Sequence, residues 1–169
     1  MYGATVSGGL SARESDDIER RRGAMCASML ATPFLQAIGL RIDAFTPAEA
    51  RLTLPFDEKL TNDGRHYHGG VVAAVLDTAG AAAFWGAYDY GRRMRASTIT
   101  ASVQFTGACD RSDLTCEARV TRQGKDLVFT EARACDSAGR VVAHGQQTYR
   151  LAPLASVSAT PAERIAGPR

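Results

Sequence analysis

The chain has 169 residues and a formal net charge of +2, enough length for one domain with a substantial core. So small and dispersed a charge gives no reason to expect nucleic-acid binding. No N-terminal stretch pairs a basic region with an apolar core, so no signal peptide is read and a cytoplasmic protein is expected. Cys26, Cys109, Cys116 and Cys135 follow no metal-ligand spacing and read as reduced thiols; no metal is expected.

Residues 1–10 are rich in Gly, Ser and Thr and read as a mobile start. "SARE" at Ser11–Glu14 fits a capping box, which predicts a helix from about Ala12 towards Leu30, with Gly23 as a candidate break. "TPFLQAIG" has Pro33 in its first turn and ends in Gly39, so it reads as a short helix. "LRIDAF" and "ARLTLPF" read as strands around the turn "TPAE". A long helix follows over roughly Gly70 to Tyr88.

The rest reads as strand. "STITASVQFTGA" alternates, with Ile99, Ala101, Val103 and Phe105 on one face. "LTCEARVTR" places Leu114, Cys116, Ala118 and Val120 on one face. The turns "QGKD" and "DSAGR" then separate "LVFTEARAC" from "VVAHGQQTYRL", which makes an antiparallel meander. The expected organisation is an N-terminal extension over 1–30, one α+β domain over 31–151, and a flexible tail over 152–169.

The long helix raises the chemical question. From Gly69 to Tyr88 its one carboxylate or base is Asp77. Twenty residues at ~1.5 Å each would span a membrane. A central Asp, however, costs roughly 3 kcal/mol on insertion scales, and the run is mostly Ala and Gly. A helix apolar on all sides is otherwise a buried core helix, here with a sheet around it. A buried Asp needs partners. It either accepts structural hydrogen bonds, for example against a subunit neighbour, or does chemistry. Gly69 and Gly70 lie at the helix start, where free amides attract negative charge. Asp77 lies about two turns further on, near the same face. A donor pair for an oxyanion and a carboxylate are the equipment for hydrolysing an acyl compound.

"NDGRHYHGGVVAAVLDTA" resembles the signature of hotdog-fold thioesterases of the phenylacetate-pathway (PaaI-type) acyl-CoA group: an Asn, then His-Gly-Gly, then an Asp in the helix. The resemblance extends over roughly Pro33 to Leu151. It implies a curved antiparallel sheet wrapped around one long helix. It also implies homo-oligomers, dimers or dimers of dimers, with sites between subunits. By resemblance Asp77 is the catalytic carboxylate, as nucleophile or general base. The amides of Gly69 and Gly70 polarise the thioester carbonyl, Asn62 orients the thioester or the water, His68 bonds within the loop or near the thioester, and Thr98 helps hold water. Arg65 stands where relatives commonly carry a small residue. Arg92, Arg93 and Arg95 in "YGRRMR", with Arg122 and Lys125 near "RQGKD", are candidates for the coenzyme A phosphates. Coenzyme A enters as part of the substrate, so no separate cofactor is expected, and neither is a membrane partner. His66 and His144 read as structural. A hotdog dehydratase would need a His and Glu pair that this helix lacks. An acyl-CoA-sensing regulator would need a DNA-binding domain that the short N-terminal segment cannot supply. The alternative from another class is a non-catalytic acyl-CoA-binding hotdog protein.

Overall fold

A computed structural model describes residues 11–47, 49–88, 90 and 93–154. Residues 1–10, expected to be a mobile start, Arg92 and the last fifteen residues of the expected tail lie outside them. Three helices precede or interrupt the strands: α1 (Ala12–Leu30), α2 (Pro33–Ile38) and α3 (Gly69–Ala87). The strands are β1 (Arg41–Phe45), β2 (Ala50–Leu54), β3 (Met94–Phe105), β4 (Leu114–Gln123), β5 (Leu127–Cys135) and β6 (Val141–Pro153).

The local signals act as expected at most ends. Ser11 and Glu14 close a reciprocal capping box at the start of α1, which satisfies two otherwise orphaned donors. Gly23 does not break this helix, because one glycine in a helix with a formed cap costs only about 1 kcal/mol. Pro33 opens α2 and Gly39 closes it with φ +70°, a left-handed conformation that glycine adopts without a Cβ clash.

All six strands join one antiparallel sheet in the order β1-β2-β4-β5-β6-β3. Helix α3 packs against every strand of it, burying Val72, Val75, Leu76, Ala79 and Phe84 against Leu52, Leu54, Leu114, Cys116 and Val128. It is long and apolar enough to cross a membrane, but here it is the core helix, and its many Ala and Gly residues let the sheet approach. α1 also belongs to this body. Buried Arg22 donates through Nε to the Gly86 carbonyl at 2.8 Å, placing a cation on the C-terminal end of α3 where carbonyls are left unsatisfied. The N-terminal helix is therefore docked on the domain. At the other end, β6 continues past the expected boundary, pairing Ala152 with Arg95 and Pro153 with Met94.

Strict alternation is broken in β3. Thr98 pairs with Tyr149, but the next pair is Thr100 with Thr148, so Ile99 is a bulge. Directly paired residues share a face. Thr98 is thus placed on the helix-facing side with Ala101, Val103 and Phe105, which pair with Gln147, Gly145 and Ala143. Ile99, expected on that face, is the extra residue and is half exposed.

Candidate active site

The loop before α3 is held at both ends. The amide of Asn62 donates to the His66 carbonyl at 3.0 Å and that of His68 to the Leu60 carbonyl at 2.9 Å. Gly64 turns the chain with φ +79°, a conformation that glycine adopts without a Cβ clash. Arg65, the departure from the family pattern, pairs with Asp110 through Nε at 3.1 Å, and its carbonyl accepts from the Arg111 amide at 2.9 Å. Asp63 accepts from the His66 ring and amide and from the Arg65 amide, with the ring bond the leading cause holding its carboxyl well below the usual range. The loop is thereby clamped to the segment after β3. Asn62 is exposed at its start.

His68 is the N-cap of α3. Its Nδ1 accepts from the Gly70 amide at 2.9 Å. The His68 carbonyl accepts from Val71 and Val72. Among the described residues the Gly69 amide has no acceptor, which is the usual state of a first-turn donor. The Phe105 ring lies beside Gly69, in ordinary contact with where a Cβ would stand, 3.5 Å from Cζ.

Asp77 lies half-buried at the middle of α3. Thr98 donates its hydroxyl to the carboxylate, at 3.1 Å from Oδ1 and 3.3 Å from Oδ2. Tyr149 of β6, which the sequence reading did not single out, donates to the Asp77 carbonyl at 2.7 Å and approaches Oδ1 at 3.2 Å. Burial, and then the charge of Asp77, push the Tyr149 phenol above its ordinary range, so it is a neutral O–H donor at physiological pH. Only its position in the "VVAHGQQTYRL" alternation marked it as inward-facing.

Asp77 and Gly69 do not converge within one chain. Eight residues separate them, about 12 Å along the axis, whereas attacking and stabilising groups must both come within about 3 Å of one carbonyl. Facing the same side of the helix is not enough. The candidate phosphate ligands gather at one end of the sheet instead. Arg93 and Arg95 stand at the start of β3, and Arg122 and Lys125 at the β4–β5 turn, all exposed. The amide of Leu151 bonds the Asp126 carbonyl at 2.8 Å, and Leu151 pairs with Ala96, which joins the two segments. Arg150, beside them and paired with Ser97, is a further exposed cation that the loop-by-loop sequence reading passed over. No cluster of three His, Cys, Asp or Glu side chains suited to a metal occurs among the described residues.

One helix enclosed by a curved antiparallel sheet, with a carboxylate at mid-helix held by hydroxyls from that sheet, defines the hotdog class of protein. Residues 64–143 match the thioesterase superfamily. Over 126 residues the chain is 32% identical to an inferred esterase of Halobacterium salinarum, covering 69% of this chain and 83% of that one. Over 112 residues it is 30% identical to an inferred esterase of Saccharolobus solfataricus, covering 66% and 73%. Among solved structures, a thioesterase family protein from Silicibacter pomeroyi matches with TM-score 0.67 and 25% identity, over 83% of this chain and 99% of its own. The chain belongs to the thioesterase superfamily and has the hotdog fold.

Proposed function

We propose that the chain hydrolyses acyl-CoA thioesters and belongs to the PaaI-type group within its superfamily. The observation that supports this best is Asp77, a carboxylate in an otherwise apolar core helix, held by Thr98 and Tyr149. The hydrolase names of the relatives agree with it.

In this reading the site lies between two subunits. Asp77 of one chain meets Gly69 and Asn62 of the partner subunit, which removes the 12 Å separation within one chain. Asp77 either attacks the thioester carbonyl or takes a proton from water that attacks it. The carbonyl oxygen gains charge and is stabilised by the free Gly69 amide at a helix N-terminus. The Gly70 amide becomes a second donor if the His68 ring turns away. The carbon–sulfur bond breaks and coenzyme A leaves, its sulfur taking the proton that Asp77 received from water, or leaving as a thiolate that solvent protonates where Asp77 attacked directly. If an acyl-Asp77 anhydride forms, water then hydrolyses it. Thr98 orients the carboxylate or the water, and Asn62 orients the thioester. Arg93, Arg95, Arg122 and Lys125, with Arg92, bind the phosphates. The four free thiols suit a cytoplasmic protein.

The test is thiol release from a panel of aryl, short-chain and long-chain acyl-CoAs. Turnover of at least one supports the reading. Binding without release across the panel would instead assign the non-catalytic alternative.

A further inference from the structure

We propose that Tyr149 is the positioning residue of the site, and that a buried chain of hydrogen bonds, Gln147 to Thr130 to Tyr149, aims its hydroxyl at Asp77. The proposal rests on the reading of Asp77 as the reacting carboxylate. Three polar side chains from β5 and β6 lie beneath α3 where an apolar core would be expected. Gln147 and Thr130 are each only 2% exposed. The Thr130 hydroxyl is 3.0 Å from Gln147 Oε1, and it also interacts with the Tyr149 hydroxyl. All three converge on Gly80. A Cβ at that position would stand 2.5 Å from the Tyr149 hydroxyl, 2.6 Å from Thr130 Oγ1 and 2.8 Å from Gln147 Oε1. Glycine is needed in this helix because the polar chain passes against its backbone.

Burying such groups is costly unless each is paired. One atom is not, the amide Nε2 of Gln147. Turning that amide by 180° exchanges its oxygen and nitrogen. Before the turn Thr130 Oγ1 donates to Gln147 Oε1; after it Nε2 donates to Thr130 Oγ1 and Oε1 becomes the unpaired atom. The Thr130 proton is released to donate to Tyr149, and the Tyr149 proton is committed to Asp77. The result is a one-way chain of donors that ends at Asp77, with the main-chain carbonyl at 2.7 Å and Oδ1 at 3.2 Å. Tyr149 contacts both the main chain and the side chain of Asp77, so it ties the carboxylate to the helix that carries it. A misplacement of about 1 Å at a reacting group can cost ~100-fold in rate.

Tyr149→Phe removes only the hydroxyl. With benzoyl-CoA or hexanoyl-CoA as probe, kcat should fall ~10- to 100-fold, with KM changed less than about twofold because substrate binding is untouched. In the Asp77→Asn background the same substitution should change the residual rate little, since there is no carboxylate left to aim. Gly80→Ala, which favours the helix but displaces the hydroxyl, should show the same kcat defect. A crystal structure of Tyr149→Phe should show the Asp77 carboxylate rotated or spread over rotamers. Near-normal kcat in Tyr149→Phe, an equal loss in both backgrounds, or an unmoved carboxylate would each overturn the proposal. If Asp77→Asn keeps its rate, or neither probe is turned over, it is the hydrolytic reading that fails. The carboxylate's orientation in Tyr149→Phe then still decides the positioning claim.

Discussion

Asp77 takes hydroxyl hydrogen bonds from two different strands, and neither bond was visible as spacing. The acid itself was legible, since a charge among Ala, Val and Leu on a buried helix demands a reason. His-Gly-Gly was legible as the start of that helix, where, among the described residues, the Gly69 amide lacks an acceptor while the Gly70 amide bonds the His68 ring. Of the partners, Thr98 came only through the family resemblance and Tyr149 was not singled out. Thr98 is 21 residues from Asp77 and Tyr149 is 72, and such pairings are set by the sheet. Asp77→Asn keeps the shape and removes the charge. We expect kcat to fall by at least ~100-fold, the scale of a lost general base, while the melting temperature stays near that of wild type. A folded Asp77→Asn protein that releases thiol at an undiminished rate would end that assignment.

Helix α3 and the strand face of β4 follow their sequence patterns closely. Leu114, Cys116 and Ala118 are buried in alternation, as period-two patterning requires. β3 does not, because the bulge at Ile99 shifts its phase and brings Thr98 to the helix side; bulges commonly re-aim a side chain beside a site. A local pattern cannot reveal an insertion that only the neighbouring strand's register defines. The β5–β6 turn was predicted from "DSAGR", and its physics is now explicit. Buried Asp136 accepts from the amides of Ala138 at 3.0 Å and Arg140 at 2.9 Å, and from Arg140 Nε at 2.7 Å. The Arg140 amide is the leading cause holding its carboxyl below the ordinary range. A carboxyl depressed in the fold stabilises above its unfolded value, near 3.9, and loses that contribution as pH falls through the folded value. Asp136→Ala should therefore melt several degrees lower at neutral pH. Its difference from wild type should shrink as pH is lowered below about 4. A constant gap across a series of thermal melts would show that the charge is not what matters.

At the scale of the molecule, β3 is an edge strand twelve residues long, with Ile99 and Phe105 half exposed. Long free edges invite pairing. A two-fold pairing of β3 with its copy would cover that edge, and the proposed site between subunits needs such an assembly. We expect light scattering to give a dimer or a dimer of dimers. Ile99→Glu should shift it towards monomer and lower activity in parallel. A fully active monomer at micromolar concentration would refute both the assembly and the shared site. The basic end of the sheet makes a separate prediction. Arg93→Ala/Arg95→Ala should raise KM for an acyl-CoA more than it lowers kcat. The effect should fade with salt, because exposed charges are screened over ~10 Å at 0.1 M. An N-acetylcysteamine thioester has no phosphates and should show no change in KM. An equal change on both substrates would remove these arginines from coenzyme A recognition.

Residue order alone determined the elements, the buried core helix, the misfit acid and the family motif. These are local properties: periodicity, caps, turn residues and a charge where apolar neighbours cannot solvate it. Tertiary structure decided which strands are neighbours, the bulge that turns Thr98 inward, the docking of α1 through Arg22, and the buried path from Gln147 to Asp77. Each of these depends on contacts between residues far apart in the chain. Packing fixes such contacts, and no window of sequence contains both partners.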